Sequence, residues 1–90
     1  MYEIVTSNRF KKDLKVALKR GYKLDKLKTV IDCLASGQPL AEKYKDHVLT
    51  GNFEGFRECH ISPDWLLVYR IEEDDLLLYL LRTGTHSDLF

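Results

Sequence analysis

Cysteine is scarce, net charge is absent, and no apolar run is long enough to cross a bilayer. Of the 90 residues only Cys33 and Cys59 carry thiols, 26 positions apart. Neither has a neighbouring thiol, which excludes a zinc knuckle and a CxxC redox pair, and both are expected to sit reduced in the interior. No stretch approaches the roughly 18 apolar residues of a membrane span. Nothing near Met1 joins a basic segment, an apolar core and a small-residue cleavage site, so a cytoplasmic address is expected. Five glycines form no phosphate-binding loop, and neither an HExxH zinc helix nor a nucleophile elbow is present. Fourteen Lys and Arg against 14 Asp and Glu leave a formal charge of zero, which argues against indiscriminate coating of polyanions.

What is present suits one domain spanning residues 1–90, with 44% hydrophobic and 11% aromatic residues for its core. The zero, moreover, is unevenly assembled. Residues 9–28 hold nine basic groups against Asp13 and Asp25, a local +7, and the other 70 residues carry −7. A local basic patch can bind a polyanion whatever the sum. Pattern makes the patch helical. Ser7 or Asn8 caps a helix with Phe10, Leu14, Ala17 and Leu18 on one face, and Gly21 closes it. A second helix runs from about Lys23 to Ala35 on Leu24, Leu27, Val30, Ile31 and Leu34, stopped by Ser36-Gly37-Gln38-Pro39. By pattern alone the outward lysines are a solvated face.

The period then changes. Tyr2–Thr6 opens the chain as a strand, and after a loop over 39–50 three more follow at Phe53–Ile61, Trp65–Ile71 and Leu76–Thr83. Pro63-Asp64 and the acidic run Glu72-Glu73-Asp74-Asp75 supply the turns. The unbroken apolar run from Leu76 to Leu81 marks a central strand covered on both faces. The expected fold class is α+β, in the order β-α-α-β-β-β, with a helical hairpin on one face of a mostly antiparallel four-stranded sheet.

The three histidines, His47, His60 and His86, all fall in loops or near strand ends. One reading makes them unrelated surface or capping residues. A second gathers them with Asp64 around zinc, although no pair has the short spacing that helps build such a site. The third is metal-free acid–base catalysis, with Arg82 and lysines holding an anion. RNA would suit it, because the 2′-hydroxyl supplies the nucleophile and leaves the protein to provide a base, a cation and an acid.

Three segments bear on the choice: Tyr44-Lys45-Asp46-His47-Val48-Leu49-Thr50-Gly51, then residues 55–65 ending in His60-Ile61-Ser62-Pro63-Asp64-Trp65, then Arg82-Thr83-Gly84-Thr85-His86 through Phe90. Together they closely resemble the YafQ-like branch of the RelE/ParE superfamily of bacterial toxins, and the similarity covers essentially the whole chain. The resemblance implies a type II toxin with a cognate antitoxin protein as partner, acting as a ribosome-dependent endoribonuclease on mRNA at the A site of the 70S ribosome. It implies no cofactor and no metal, and a 2′,3′-cyclic phosphate product. It assigns catalysis to His47, His60, Asp64, His86 and Arg82, with His86 as general acid and the base left open between His47 and His60. Lys45, Trp65 and Phe90 become substrate-binding candidates, Trp65 also having a reading as core packing. Lys11, Lys12, Lys15, Lys19 and Arg20 become candidates for contact with ribosome or antitoxin. The superfamily is commonly basic, whereas this chain is neutral and sets Glu42, Asp46, Glu54 and Glu58 beside the proposed site. Two other readings belong to the same fold: a ParE-like inhibitor of DNA gyrase, and an inactive module that binds only its antitoxin.

Overall fold

A computed structural model describes all 90 residues. Strand β1 (Glu3–Thr6) leads into helices α1 (Asn8–Lys19) and α2 (Leu24–Ala35). Strands β2 (His47–Val48), β3 (Arg57–Ser62), β4 (Trp65–Glu72) and β5 (Leu77–Gly84) follow, and a short helix α3 (His86–Leu89) ends the order. Ser7 is the cap of α1. Its Oγ accepts from the Phe10 amide at 2.9 Å and donates to the Leu81 carbonyl at 2.7 Å, so one hydroxyl starts the helix and ties it to β5.

The sheet has five strands in the order β1-β5-β4-β3-β2, where four were expected. The additional strand is β2, two residues lying in the expected loop and too short to show a periodicity. Strand β1 pairs in parallel with β5, and the other neighbours are antiparallel. The apolar run Leu77–Leu81 is thus central between β1 and β4, as its composition requires. Strand β3 begins at Arg57 rather than Phe53, because Gly51–Phe53 forms a 3-10 turn and Gly55 follows it at φ +91°.

Alternation along β4 divides the core. Trp65, Leu67 and Tyr69 point to the helices and join Phe10, Ala17, Leu27, Val30, Leu34, Leu78 and Leu80 in one cluster. Leu66 and Val68 point the other way, where Leu89, Leu49, Phe53, Phe56 and Leu81 form a smaller cover. Leu18, expected inward, is 42% exposed on α1. Cys59 is fully buried and Cys33 only partly, so the interior holds one thiol rather than two. A bulge opposite Val68 and Tyr69 leaves Leu81 out of the ladder and brings Arg82 opposite Val68.

Candidate active site on the open sheet face

The site grows from the register. His47 lies opposite Glu58, Glu58 opposite Val68, and Val68 opposite Arg82, one row across four strands. The next row runs from His60 through Leu66 to Gly84, two strand spacings or about 10 Å away. His86 follows two residues later. The sheet therefore holds His47, Glu58 and His60 as one group, with His86 across from it.

Each imidazole is held differently. The His47 ring lies with Nδ1 2.7 Å from the Lys45 carbonyl and Nε2 3.3 Å from Glu58 Oε1. Both neighbours are acceptors, so only the doubly protonated ring donates to both. Glu58 is 5% exposed, and its Oε2 has no hydrogen-bond partner. This buried carboxylate, seen in sequence only as an acid near the site, is the residue sequence reasoning missed. Its signal was a Glu at alternate spacing with His60 on one strand. His60 is half-buried, and its Nδ1 lies 3.2 Å from the Pro63 carbonyl. Donation there puts the ring's lone pair on Nε2, which has no protein partner. His86 is exposed at the start of α3, with its ring centroid 5.1 Å from that of Phe90; Phe90 in turn meets Phe53 edge-on at 5.3 Å.

Helix α3 was not expected, yet Thr85-His86-Ser87-Asp88 carries its signature. Thr85 Oγ1 accepts from the Asp88 amide, and the Asp88 carboxylate accepts from the Thr85 amide at 2.9 Å, a capping box. Arg20 at the end of α1 grips the same carboxylate at 2.6 and 3.3 Å. Arg20 together with the Thr85 bonds holds the Asp88 carboxyl well below the usual carboxylate range. Arg20, a candidate for outside contact, is thus partly committed within the fold. Lys11, Lys12, Lys15 and Lys19 are exposed.

Three further candidates are placed with consequences of their own. Arg82 is paired with Asp13 of α1 through Nε at 2.6 Å and Nη2 at 3.3 Å, while the same carboxylate accepts from the Thr83 amide at 3.2 Å. Asp13 thereby offsets the charge expected to face a phosphate. Trp65 is 1% exposed, stacks near Tyr22 at 4.9 Å and donates to Thr83 Oγ1 at 2.8 Å. It offers no face for a base, so its place is the core. Asp64 sits exposed in the β3–β4 turn with no side-chain hydrogen bond to any histidine.

The acids near the site have inward duties. Asp46 accepts from Arg57 at 3.0 and 3.3 Å and from the Tyr69 hydroxyl. Burial, with the Asp46 hydrogen bond, raises the Tyr69 phenol far above its ordinary range, and the Asp46 bond raises Arg57. This cluster fixes the residue immediately before His47. Beside it, Lys26, Thr29, Lys43, Tyr44, Lys45 and His60 line a cleft of about 510 Å³.

Residues 2–90 match the model of one family, described as the bacterial toxin of type II toxin–antitoxin systems, YafQ. The chain belongs to the YafQ family. The mRNA interferase toxin YafQ of Escherichia coli K12 is 43% identical over 89 residues, covering 98% of this chain and 95% of that protein. A metal-bound toxin from Helicobacter pylori is 52% identical with a TM-score of 0.94, both chains covered in full. The E. coli DinJ–YafQ complex contains a chain 42% identical with a TM-score of 0.90, covering 100% of this chain and 99% of that one. In this YafQ-family chain no group of three His, Cys, Asp or Glu side chains stands close enough to share a metal ion. His47 and Glu58 pair without a third such donor beside them.

Proposed function

We propose that this chain is an mRNA interferase of the cytoplasm, held in check by an antitoxin and cutting messages on the ribosome. The reading takes its activity and its partner class from the YafQ relatives, and the carrying observation is the placement of three differently held imidazoles around the sheet face the helices leave open.

His60 is the base. With Nδ1 turned to the Pro63 carbonyl, its Nε2 lone pair is available to take the 2′-hydroxyl proton. The resulting 2′-oxygen attacks the adjacent phosphorus, and His86 gives its proton to the departing 5′-oxygen, leaving a 2′,3′-cyclic phosphate. His47, its ring oriented by the Lys45 carbonyl and Glu58, stands as a positioned imidazole beside the phosphorane. Arg82 contributes through Nη1, the guanidinium nitrogen that Asp13 leaves free. Phe90, braced by Phe53 and His86, is the surface on which a base beside the cut stacks. Asp64 acts at longer range on the His60 turn. The lysines of α1 face ribosomal RNA or the acidic residues of an antitoxin.

The test is to map 3′ ends of a defined message in a purified translation system. Wild type cuts only with ribosomes present, and His86→Gln or His60→Gln lowers the rate by a factor of about 100 or more, as loss of a general acid or base does. Equal cutting by either variant removes that histidine from the mechanism. No cutting together with blocked gyrase supercoiling favours the gyrase-inhibitor reading. Antitoxin binding with neither effect favours an inactive module.

A further inference from the structure

The cleft beside His60 is built from three separate pieces of chain. Lys26 and Thr29 come from α2, Lys43, Tyr44 and Lys45 from the 3-10 turn at Glu42–Tyr44 and the residue after it, and residues 60–63 from the end of β3 and its turn. No carboxylate lines it, although 14 acids are spread through the chain. The three lysines are exposed, and none forms an ion pair with an acid. Lys28, between Lys26 and Thr29 on α2, is by contrast paired with Asp32 at 2.8 Å.

Two other observations give the cleft a direction. Lys45 has φ 50°, ψ 43°, a left-handed conformation that costs an L-residue with a Cβ about 1–2 kcal/mol. That turn sets the Lys45 side chain at the cleft while its carbonyl meets the His47 ring. Strand β2, in addition, pairs with only Arg57 and Glu58, so the outer edge of β3 beyond Glu58 has no neighbouring strand. The cleft is lined along that free edge by His60, Ile61, Ser62 and Pro63.

We infer that this cleft holds the phosphates of the single-stranded message flanking the cut, with Lys26, Lys43 and Lys45 as the cations and His60 at the junction between track and chemistry. The assignment rests on the nuclease reading above and adds to it the path of the substrate. Three cations with no complementary acid among the lining residues favour a polyanion, and the contacts argued are to its phosphates. Lys43 lies 5.1 Å from the Tyr44 ring centroid, which steadies the ammonium over the cleft wall without discharging it.

The experiment uses the full chain with His86→Gln, so that RNA is bound and not cut, and a fluorescent single-stranded RNA of a dozen nucleotides. Binding is read by anisotropy across a salt series. In the triple variant Lys26→Gln, Lys43→Gln, Lys45→Gln, the slope of log K against log salt falls by about 2, since each single-strand phosphate contact contributes about 0.7. With His86 restored, the same triple variant raises KM for ribosome-bound message. Thermal melts confirm folding, and single lysine variants divide the effect if the triple one is unstable. An unchanged slope and KM, with wild type still cutting, overturn the cleft alone. Equal loss of binding to message-free ribosomes overturns the message assignment in favour of ribosomal RNA. A wild type that cuts no message overturns the nuclease reading, whatever the slopes are.

Discussion

Replacing Asp46 by Ala tests how the fold delivers His47 to its row. The carboxylate accepts two hydrogen bonds from Arg57 and one from Tyr69, joining the loop before β2 to strands β3 and β4. The Arg57 side chain is 39% exposed, so that pair is screened and contributes about 0.2–1 kcal/mol. The Tyr69 hydroxyl is more enclosed, and a hydrogen bond to a charged acceptor is worth about 1.5–3 kcal/mol. Asp46→Ala should therefore cost about 2–3 kcal/mol, or about 8–24 °C in Tm for a domain this size. Tyr69→Phe removes only the second contribution. The double variant should fall short of additivity by about 1 kcal/mol or more, because both changes break the same bond. Circular-dichroism melts give the stabilities, and 3′-end mapping gives the activity. Cutting by Asp46→Ala should drop even where the protein is folded, since the residue after it is His47. A melt within about 2 °C of wild type, or strictly additive costs, refutes the claim that Asp46 anchors this segment.

Leu76 closes the β4–β5 turn at φ 52° and is 56% exposed, so Leu76→Gly should relieve left-handed strain at little loss of burial. A gain of about 0.5–1 kcal/mol in urea unfolding is expected. Cys59 is buried and its thiol is pushed well above the ordinary range by that burial, whereas Cys33 is partly exposed; native protein should take up one equivalent of iodoacetamide promptly and a second only on denaturation. Asp88 is ionised at lower pH in the folded chain than its ordinary 3.8, so its contribution to stability is full above that value and is lost as pH falls below it. Asp88→Ala should lower Tm at pH 7, with the gap from wild type narrowing steadily once the pH passes below about 4. A gap that stays constant in acid would show that the Arg20 pair is not its source.

The long elements were legible because their periods are unambiguous. The apolar spacing from Phe10 to Ala17 and from Leu24 to Leu34 gave both helices, and the run Leu77–Leu81 gave the central strand. Short elements left no periodicity. Strand β2 is two residues whose pairing is imposed by the Asp46 anchor some 11 positions from its Arg57 partner, and local sequence is silent about that. Helix α3 could have been read from its capping residues. Among site residues, the histidines stood out by chemistry and by resemblance, but their hydrogen-bond partners are products of register. So are the pairing of Arg82 with Asp13, 69 positions away, and the turning of Glu58 toward His47. Counted in sequence, Asp46 and Glu58 oppose a polyanion, whereas in the fold Asp46 is paired with Arg57 and Glu58 is buried against the His47 ring.

The parallel pairing of β1 with β5 sets a timetable for synthesis. Ile4 must wait for Leu78, and Ser7 for the Leu80 and Leu81 carbonyls, so the first strand leaves the ribosomal tunnel long before its partner is made. Arg82, His86 and Phe90 lie in or after that same partner strand. A growing chain therefore carries a helical hairpin without a sheet centre to pack on, and lacks these candidate site residues, until translation is nearly finished. The C-terminal candidates for chemistry are thus the last residues to arrive, and for most of synthesis the helical hairpin stands exposed without the strand it packs on.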